Sequence, residues 1–452
     1  MVARHGSLSL QLRFRHVRIM LMRPLLTILT LALLVICTAP VHADWPTVMG
    51  PDQTGVSHEK DIARSWPPGG PPVLWTVQVG PGFGGPAIRD GEVIILDRVE
   101  DERDVLRCFD FQTGAELWRW DHEVPGHLPY KGSRSVPTVG PQRVFAVGAF
   151  GNVYCVDRQT HQLQWQLDLL EQYPRDPHHF GYAQSPLLYE GHVVIAPLTD
   201  TVGLAALDSE TGCVRWRSGP IGTKSYTSPT LREIDGVRCI IFITDQQISG
   251  IDPDTGELLW KFTEYNPPQQ AALPTCIGQD RIFATAFDGA GSVMIRITRD
   301  GDAFSIEEAF RLKDHGAQLH AALFYEDHLY GKYFTKNEKG TLVSRLMCHD
   351  LDGQVQWDQG EPDHLERGGF IIVDDLLVIL DDKTGELVLA EARADQYVEV
   401  ARAKVLELKE PYALCPLAFT GGRLVVRDQN QMKCLDLKCI GQGEPPRTIP
   451  TE

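Results

Sequence analysis

The sequence predicts an all-β protein, an eight-bladed β-propeller of four-stranded antiparallel blades, with seven blades as the alternative if one weak repeat is an insertion. Three observations carry that expectation. A turn motif recurs along the chain, an apolar marker runs ahead of it at the same period, and fragments at the two ends together supply one missing repeat.

The motif is clearest in "DFQTGAELW", where Asp110, Gly114 and Trp118 stand at fixed offsets. It returns as "DRQTHQLQW" (Asp157, Trp165), "DSETGCVRW" (Asp208, Gly212, Trp216) and "DPDTGELLW" (Asp252, Gly256, Trp260). A copy one residue shorter, "DLDGQVQW", holds Asp350, Gly353 and Trp357. The aspartates are 47, 51, 44 and 98 residues apart, and the degraded "TRDGDAFSI" lies in the middle of the double gap. A period of this size belongs to propellers and related arrays. Each residue type has a job: the Asp carboxylate caps the turn backbone, Gly supplies positive φ, and Trp on an outer strand can cover the neighbouring blade.

The second marker precedes each motif at Pro86, Pro137, Pro186, Pro229, Pro274 and Pro416, with Leu323 and Ile371 in the same place without proline. These eight positions are spaced by 43 to 51 residues. Between marker and motif, runs such as "SPLLYEG", "HVVIAPLTD", "GLAALD" and "CVRWRSG" are short and apolar and end at Gly, Asp or Pro, as strands do. The last repeat, "PLAFTGGRLVVRDQNQMKCLDL", has three strands and no tryptophan. "PVLWTVQV", residues 72–79, resembles the missing fourth strand, with Trp75 in the tryptophan role, so it is expected to close the ring. The domain reading is therefore a lead segment 44–71, a propeller 72–440 and a polar tail 441–452.

Residues 1–43 differ from the rest. Met22-Arg23, an apolar run from Leu25 to Cys37 and Val41-His42-Ala43 read as a secretory signal cut after Ala43, with translation starting at Met20 or Met22 as an option. The alternative, an uncleaved anchor, has an apolar core short of the roughly 20 residues that span a bilayer. Ile36 before Cys37 makes a poor lipoprotein signal. Export predicts a periplasmic or secreted protein with no transmembrane span in the mature chain. The formal charge of -17, from 43 Lys+Arg against 60 Asp+Glu, argues against nucleic acid or anionic lipid as partner. Cys108, Cys155, Cys348 and Cys434 each sit two residues before an aspartate, and such equivalent places suggest small core residues rather than bridges.

With five motif copies in phase, residues 72–438 resemble the PQQ-like (pyrroloquinoline-quinone-like) repeat propellers, which include the quinoprotein alcohol dehydrogenases and the outer-membrane assembly lipoprotein BamB. The lead segment, "GSRSVP" and "GYAQSP" are similar to a broad exported bacterial group of these proteins. The resemblance implies the eight-bladed fold rather than one activity. Quinoprotein dehydrogenases hold the quinone beneath a disulfide of adjacent cysteines and bind Ca²⁺ through an acidic and an amide ligand. No adjacent Cys pair occurs here, so no cofactor is expected, PQQ with Ca²⁺ being the alternative. No Gly-x-Ser-x-Gly or P-loop occurs, and no residue is singled out as catalytic.

Loops leading into the innermost strands of a propeller gather at one mouth of its channel. The residues so placed are Lys131 and Arg134, Tyr182 and Gln184, Lys224 and Tyr226, Gln318 and His320, and Arg367. Crowded Arg, Lys and Tyr could hold an anionic or polar ligand. The plain alternative is that they pair with nearby acids and close the channel. His127, His178 and His179 are expected to be exposed loop histidines rather than metal ligands, and "DPDTGE" at Asp252 a turn rather than a calcium loop. The functional expectation is a monomeric, non-catalytic binding or scaffolding module for an envelope protein or polysaccharide. The alternative is an enzyme, quinoprotein-type or otherwise, with its site at the channel mouth.

Overall fold

The computed structural model describes residues 44–337, 339–360, 365, 367–409 and 412–438. The expected signal and polar tail lie outside them. Among the described residues, no helix is long and apolar enough to cross a membrane.

Eight sheets form a ring, each built on four antiparallel strands that follow one another in the chain in all but the last. Blades 1 to 7 span residues 87–123, 138–168, 187–217, 230–262, 275–312, 323–358 and 370–404. Blade 8 combines Ala418–Thr420, Arg423–Arg427 and Gln431–Asp436 with Val73–Gln78 from the other end of the chain. The count is eight, and the weak "TRDGDAFSI" stretch makes the turn between the two longest strands of blade 5, Gly291–Asp300 and Ala303–Leu312. Middle strands such as Glu92–Val99 are buried on both faces because each blade is sandwiched between two others. Outer strands such as Glu116–Glu123 alternate between buried and exposed.

The repeated turn works as a fastener between blades. Asp110 Oδ1 accepts hydrogen bonds from the backbone N–H groups of Gln112 (3.1 Å) and Thr113 (2.7 Å) and from the Thr113 hydroxyl (2.7 Å), which hold its carboxyl below the usual range. Gly114 then reverses the chain at φ +73°, and a Cβ there would stand 2.8 Å from the Trp75 ring of blade 8. Trp165 lies on Gly212 and Trp216 on Gly256 in the same way, each on the turn of the following blade. Trp75, Trp165 and Trp216 donate their indole N–H to the carbonyls of Phe111 (3.0 Å), Ser209 (3.2 Å) and Pro253 (3.0 Å), in each case the residue after the motif aspartate. In blade 2 His161 replaces the glycine and stacks on Trp118, ring centroids 5.0 Å apart. Phe310 takes the tryptophan's place against Gly353.

The cysteines follow from the same device. Cys108, Cys155, Cys348 and Cys434 pair directly across the sheet with Trp118, Trp165, Trp357 and Trp75, where blades 3 and 4 use Ala206 and Gly250. The slot under an inward-leaning indole takes only a small side chain. All four are free, fully buried thiols, and burial pushes Cys155, Cys348 and Cys434 up to about 12.

Closure is reinforced by buried charge. Trp75 and Val77 of Val73–Gln78 lie opposite Cys434 and Met432. Nearby, Arg427 of blade 8 donates to the Gly80 carbonyl (2.7 Å) and faces Asp97 of blade 1 (3.4 Å). Asp97 also accepts from Gly80 N–H (2.8 Å) and Arg107 (3.1 Å). Neither Asp97 nor Arg427 is exposed, so removing Asp97 would strand the charge of Arg427 in the interior, whereas Asp97 keeps Arg107 if Arg427 is removed.

The lead segment is built into the ring rather than held out from it. Trp45 exchanges backbone hydrogen bonds with Ile88 of blade 1 (2.8 Å each), and Pro46 accepts from Val139 of blade 2 (2.8 Å). Gln53 donates to Pro229 before blade 4 (3.2 Å), Val56–Ser57 adds a parallel fifth strand beside Phe370–Val373 of blade 7, and Glu59 caps the Gly421 and Gly422 N–H groups of blade 8 (2.8 Å each). Trp45, Val48, Met49 and Ile62 are buried. The segment crosses the far ends of the innermost strands and sends Val48 and Met49 into the channel.

Candidate functional site

A cavity of about 290 Å³ opens at the mouth where the chain enters the innermost strands, with Val48 and Met49 as its floor. Apolar side chains from several blades, including Val136, Leu273, Leu319 and Leu414, continue the floor upward. Aromatic rings surround the mouth: Phe83, Tyr130, Phe180, Tyr226, Phe287 and Tyr412. Tyr130 meets Phe83 edge-on at 6.2 Å and Phe180 at 6.0 Å, and Phe180 meets Tyr226 at 5.8 Å, so one arc of the wall is a continuous aromatic surface.

Arg134, Tyr226, Gln318, His320 and Arg367 all line this cavity. The guanidinium of Arg134 lies 5.9 Å from the Phe83 ring centroid and donates to the backbone carbonyls of Gly132 and Tyr130. No carboxylate among the described residues pairs with it. Burial, with the charge of Arg98 adding to it, brings its pKa down to about 10, still cationic at neutral pH. Arg367 is arranged differently: it stacks on Tyr412 (4.6 Å) and faces Asp382 (3.4 Å), whose carboxylate also accepts the Arg367 backbone N–H (2.8 Å). His320 is 9% exposed, its Nε2 has no hydrogen-bond partner among the described residues, and burial, aided by the Lys332 ammonium, brings its pKa down to about 3. It is a neutral imidazole at physiological pH.

Lys131, Tyr182, Gln184 and Lys224 lie outside the lining. Tyr182 packs into the blade 2–blade 3 core beside Leu169. Gln184 clamps Ala196, accepting from its N–H (2.6 Å) and donating to its carbonyl (3.0 Å). Lys131 is exposed, and Lys224 is held by its backbone, its N–H donating to Asp245 (3.0 Å). His178 corrects the expectation of exposure. It is 5% exposed, sits edge-on to Tyr182 (5.0 Å) and against Tyr226 (5.7 Å), and burial brings its pKa down to about 3. His127 and His179 are exposed. Asp252 Oδ1 is engaged by the N–H groups of Asp254 (2.9 Å) and Thr255 (2.8 Å), the geometry of a turn.

Sequence reasoning missed the aromatic wall, although a register signal marks it. Phe83, Arg134, Ala183, Tyr226, Ala271 and His320 each stand three residues before their marker and all line the cavity. Val136, Ser185, Ser228 and Leu273, one residue before, do the same. Side chains two apart on an extended segment share a face.

The donor set does not fit a quinone held by Ca²⁺. Among the described residues the cavity wall offers no carboxylate, two guanidinium groups face the space a cation would need, and no group of three or more His, Cys, Asp or Glu is placed to hold a metal.

The fold is shared with solved structures of different activity. A quinohemoprotein alcohol dehydrogenase from Comamonas testosteroni superposes with a TM-score of 0.61 at 13% identity, over 90% of this chain and 83% of that one. BamB from Moraxella catarrhalis gives 0.55 at 12%, over 81% and 99%, and the computationally designed Ika8 protein gives 0.51 at 13%, over 84% and 100%. At these identities the likeness is one of fold. No curated protein matches the sequence. Residues 101–359, more than half of the 452, match the family described as outer membrane protein assembly factor BamB, and the chain belongs to that family of PQQ-like repeat propellers.

Proposed function

We propose that this propeller is a non-catalytic binding module of the bacterial cell envelope, exported to the periplasm or beyond, which as a monomer holds an envelope protein at the channel mouth. A polysaccharide is the other partner class. The observation that carries the reading is the cavity itself: an apolar floor, an aromatic wall and an unpaired guanidinium, with no carboxylate among its described lining residues to serve as base or metal ligand. Such a surface recognises, and has little with which to transform. Membership of the BamB-described family supports an envelope setting.

The test is capture of envelope components on the immobilised protein, beside a variant with Phe83→Ala and Tyr130→Ala. A partner retained by the native protein and lost by the variant is expected. Equal retention by both would move the binding surface elsewhere. Stoichiometric binding of PQQ with Ca²⁺ and dye reduction by the reconstituted protein would replace the module with an enzyme.

A further inference from the structure

The two guanidinium groups at the mouth point to the chemistry of the occupant. Arg367 has a carboxylate of its own chain, Asp382. Among the described residues Arg134 bonds only to carbonyl oxygens, and the charged group that acts on it most is another cation, Arg98, with Asp101 opposing it more weakly. Arg98 is neutralised within the protein: it pairs with Asp104 (3.0 Å) and donates to the carbonyls of Asp101 (2.8 Å), Val124 (2.7 Å) and Gly126 (2.9 Å). The charge left without a counterion is therefore that of Arg134, at the edge of an apolar cavity. A guanidinium has five N–H donors, so two bonds to carbonyls leave others for a ligand.

We propose that the cavity takes an amphipathic carboxylate, its acid group bound by Arg134 and its apolar or aromatic body seated between Phe83 and Tyr226 on the Val48 and Met49 floor. This rests on the reading of the mouth as a binding site. The Tyr226 hydroxyl, which has no hydrogen-bond partner among the described residues and is close enough to Arg134 to act on its charge, stands at the acid end. An inorganic anion would satisfy Arg134 but leave the apolar walls wet, and a sugar would leave its hydroxyls facing leucine and valine. The volume of about 290 Å³ is at the small end of ligand pockets, enough for one ring or a short alkyl chain. Because the lead segment closes the far end, the occupant enters end-on. A free organic acid or the C-terminal residue of a partner polypeptide both meet that requirement.

Calorimetric titration of the full chain separates the cases. The probes are 3-phenylpropanoate, octanoate, the corresponding amides, inorganic phosphate, and a peptide ending in phenylalanine as free acid and as amide. Acids are expected to bind at least about tenfold more tightly than their amides, the difference expected of a charge-assisted pair. Arg134→Gln should erase that difference, Arg134→Lys should keep part of it, and Val48→Trp, which fills the floor, should abolish binding in a protein that still unfolds cooperatively. A peptide acid that outcompetes the free acids assigns the site to a chain end, and the reverse assigns it to a small molecule. Amides binding as well as acids, phosphate matching 3-phenylpropanoate, or no acid binding to the native protein would each overturn the proposal. If a mouth-dependent envelope partner were still captured after such a result, the binding-module reading would stand and only this ligand class would fall.

Discussion

At the outer rim, Trp75, Trp165 and Trp216 each find a carbonyl of the next blade, and each motif carboxylate finds the N–H groups of its own turn. At the inner mouth, among the described residues, Arg134 lacks a carboxylate, and the Tyr226 hydroxyl and His320 Nε2 lack hydrogen-bond partners. The same repeats build both regions. Where copies meet each other, most of these polar groups are settled inside the protein, because the neighbour is another copy, although the indole N–H groups of Trp118 and Trp260 are not. Where the copies converge on the axis, the side chains differ and their valences are left open. An internal partner marks a structural role, and an orphan polar atom that also lines a cavity is open to a ligand.

That contrast can be broken at the rim first. Trp216→Ala should lower stability by about 3–5 kcal/mol in urea unfolding, since it removes a buried indole and the cover over Gly256. Ligand binding at the mouth should be unchanged once the protein is refolded. Arg367→Gln should cost about 1–3 kcal/mol, because Asp382, fully buried, loses its ion pair. Three buried histidines, His320 in the cavity wall, His178 behind Tyr226 and His349 within blade 6, give the fold a pH signature. His178 and His320 have folded pKa values brought down to about 3 and His349 to about 4, below the unfolded value, so the unfolded chain binds more protons in the interval. Stability is present above about pH 6.5 and is lost as the pH falls from there toward 3, by about 1.4 kcal/mol per unit for each such histidine. His178→Phe should flatten the slope of melting temperature against pH. Asp252→Ala, which removes one turn cap, should cost about 1 kcal/mol. Smallest of all, Arg134→Gln should leave stability within about 0.5 kcal/mol, because relief of a desolvated charge offsets two lost bonds to carbonyls. A large loss there would place Arg134 among the structural residues.

The rim was legible in the sequence because its function dictates residue type. A turn at positive φ asks for Gly114 or Gly212, its cap asks for Asp, and the fastener asks for a large ring with an N–H donor. Even the cysteines could be read as small core residues, although their pairing with the tryptophans needed the sheet register. The mouth was legible only through geometry. Alternation along an extended segment sends residues one and three places before the markers at Pro137, Pro186, Pro229 and Pro274 inward, which takes in Arg134 and Tyr226 and turns Gln184 and Tyr182, two and four places before, toward the blades. Before Ile371 and Pro416 the phase shifts, and Arg367 and Tyr412 line the cavity from four places ahead. Reading by residue type alone mixed the two sets. His178 looked like a solvated loop residue because the tyrosine that covers it, Tyr226, comes from a later repeat. Val48 and Met49 carry no signal of their own, since any apolar residue could fill the floor.

The closing strand has a consequence for how the molecule is made. Val73–Gln78 finds its sheet partner only when Gln431–Asp436 exists, and the lead segment binds the innermost strands of blades that are synthesised far apart. The described residues that emerge first are therefore among the last to reach native contacts. Ring formation joins positions of very large sequence separation, which favours a slow final step preceded by blades that pair locally. During that interval Val73 and Leu74, already among the exposed apolar residues of the finished ring, sit on a strand without a neighbour. The order of synthesis makes this strand the point at which an unfinished chain is most open to pairing with another.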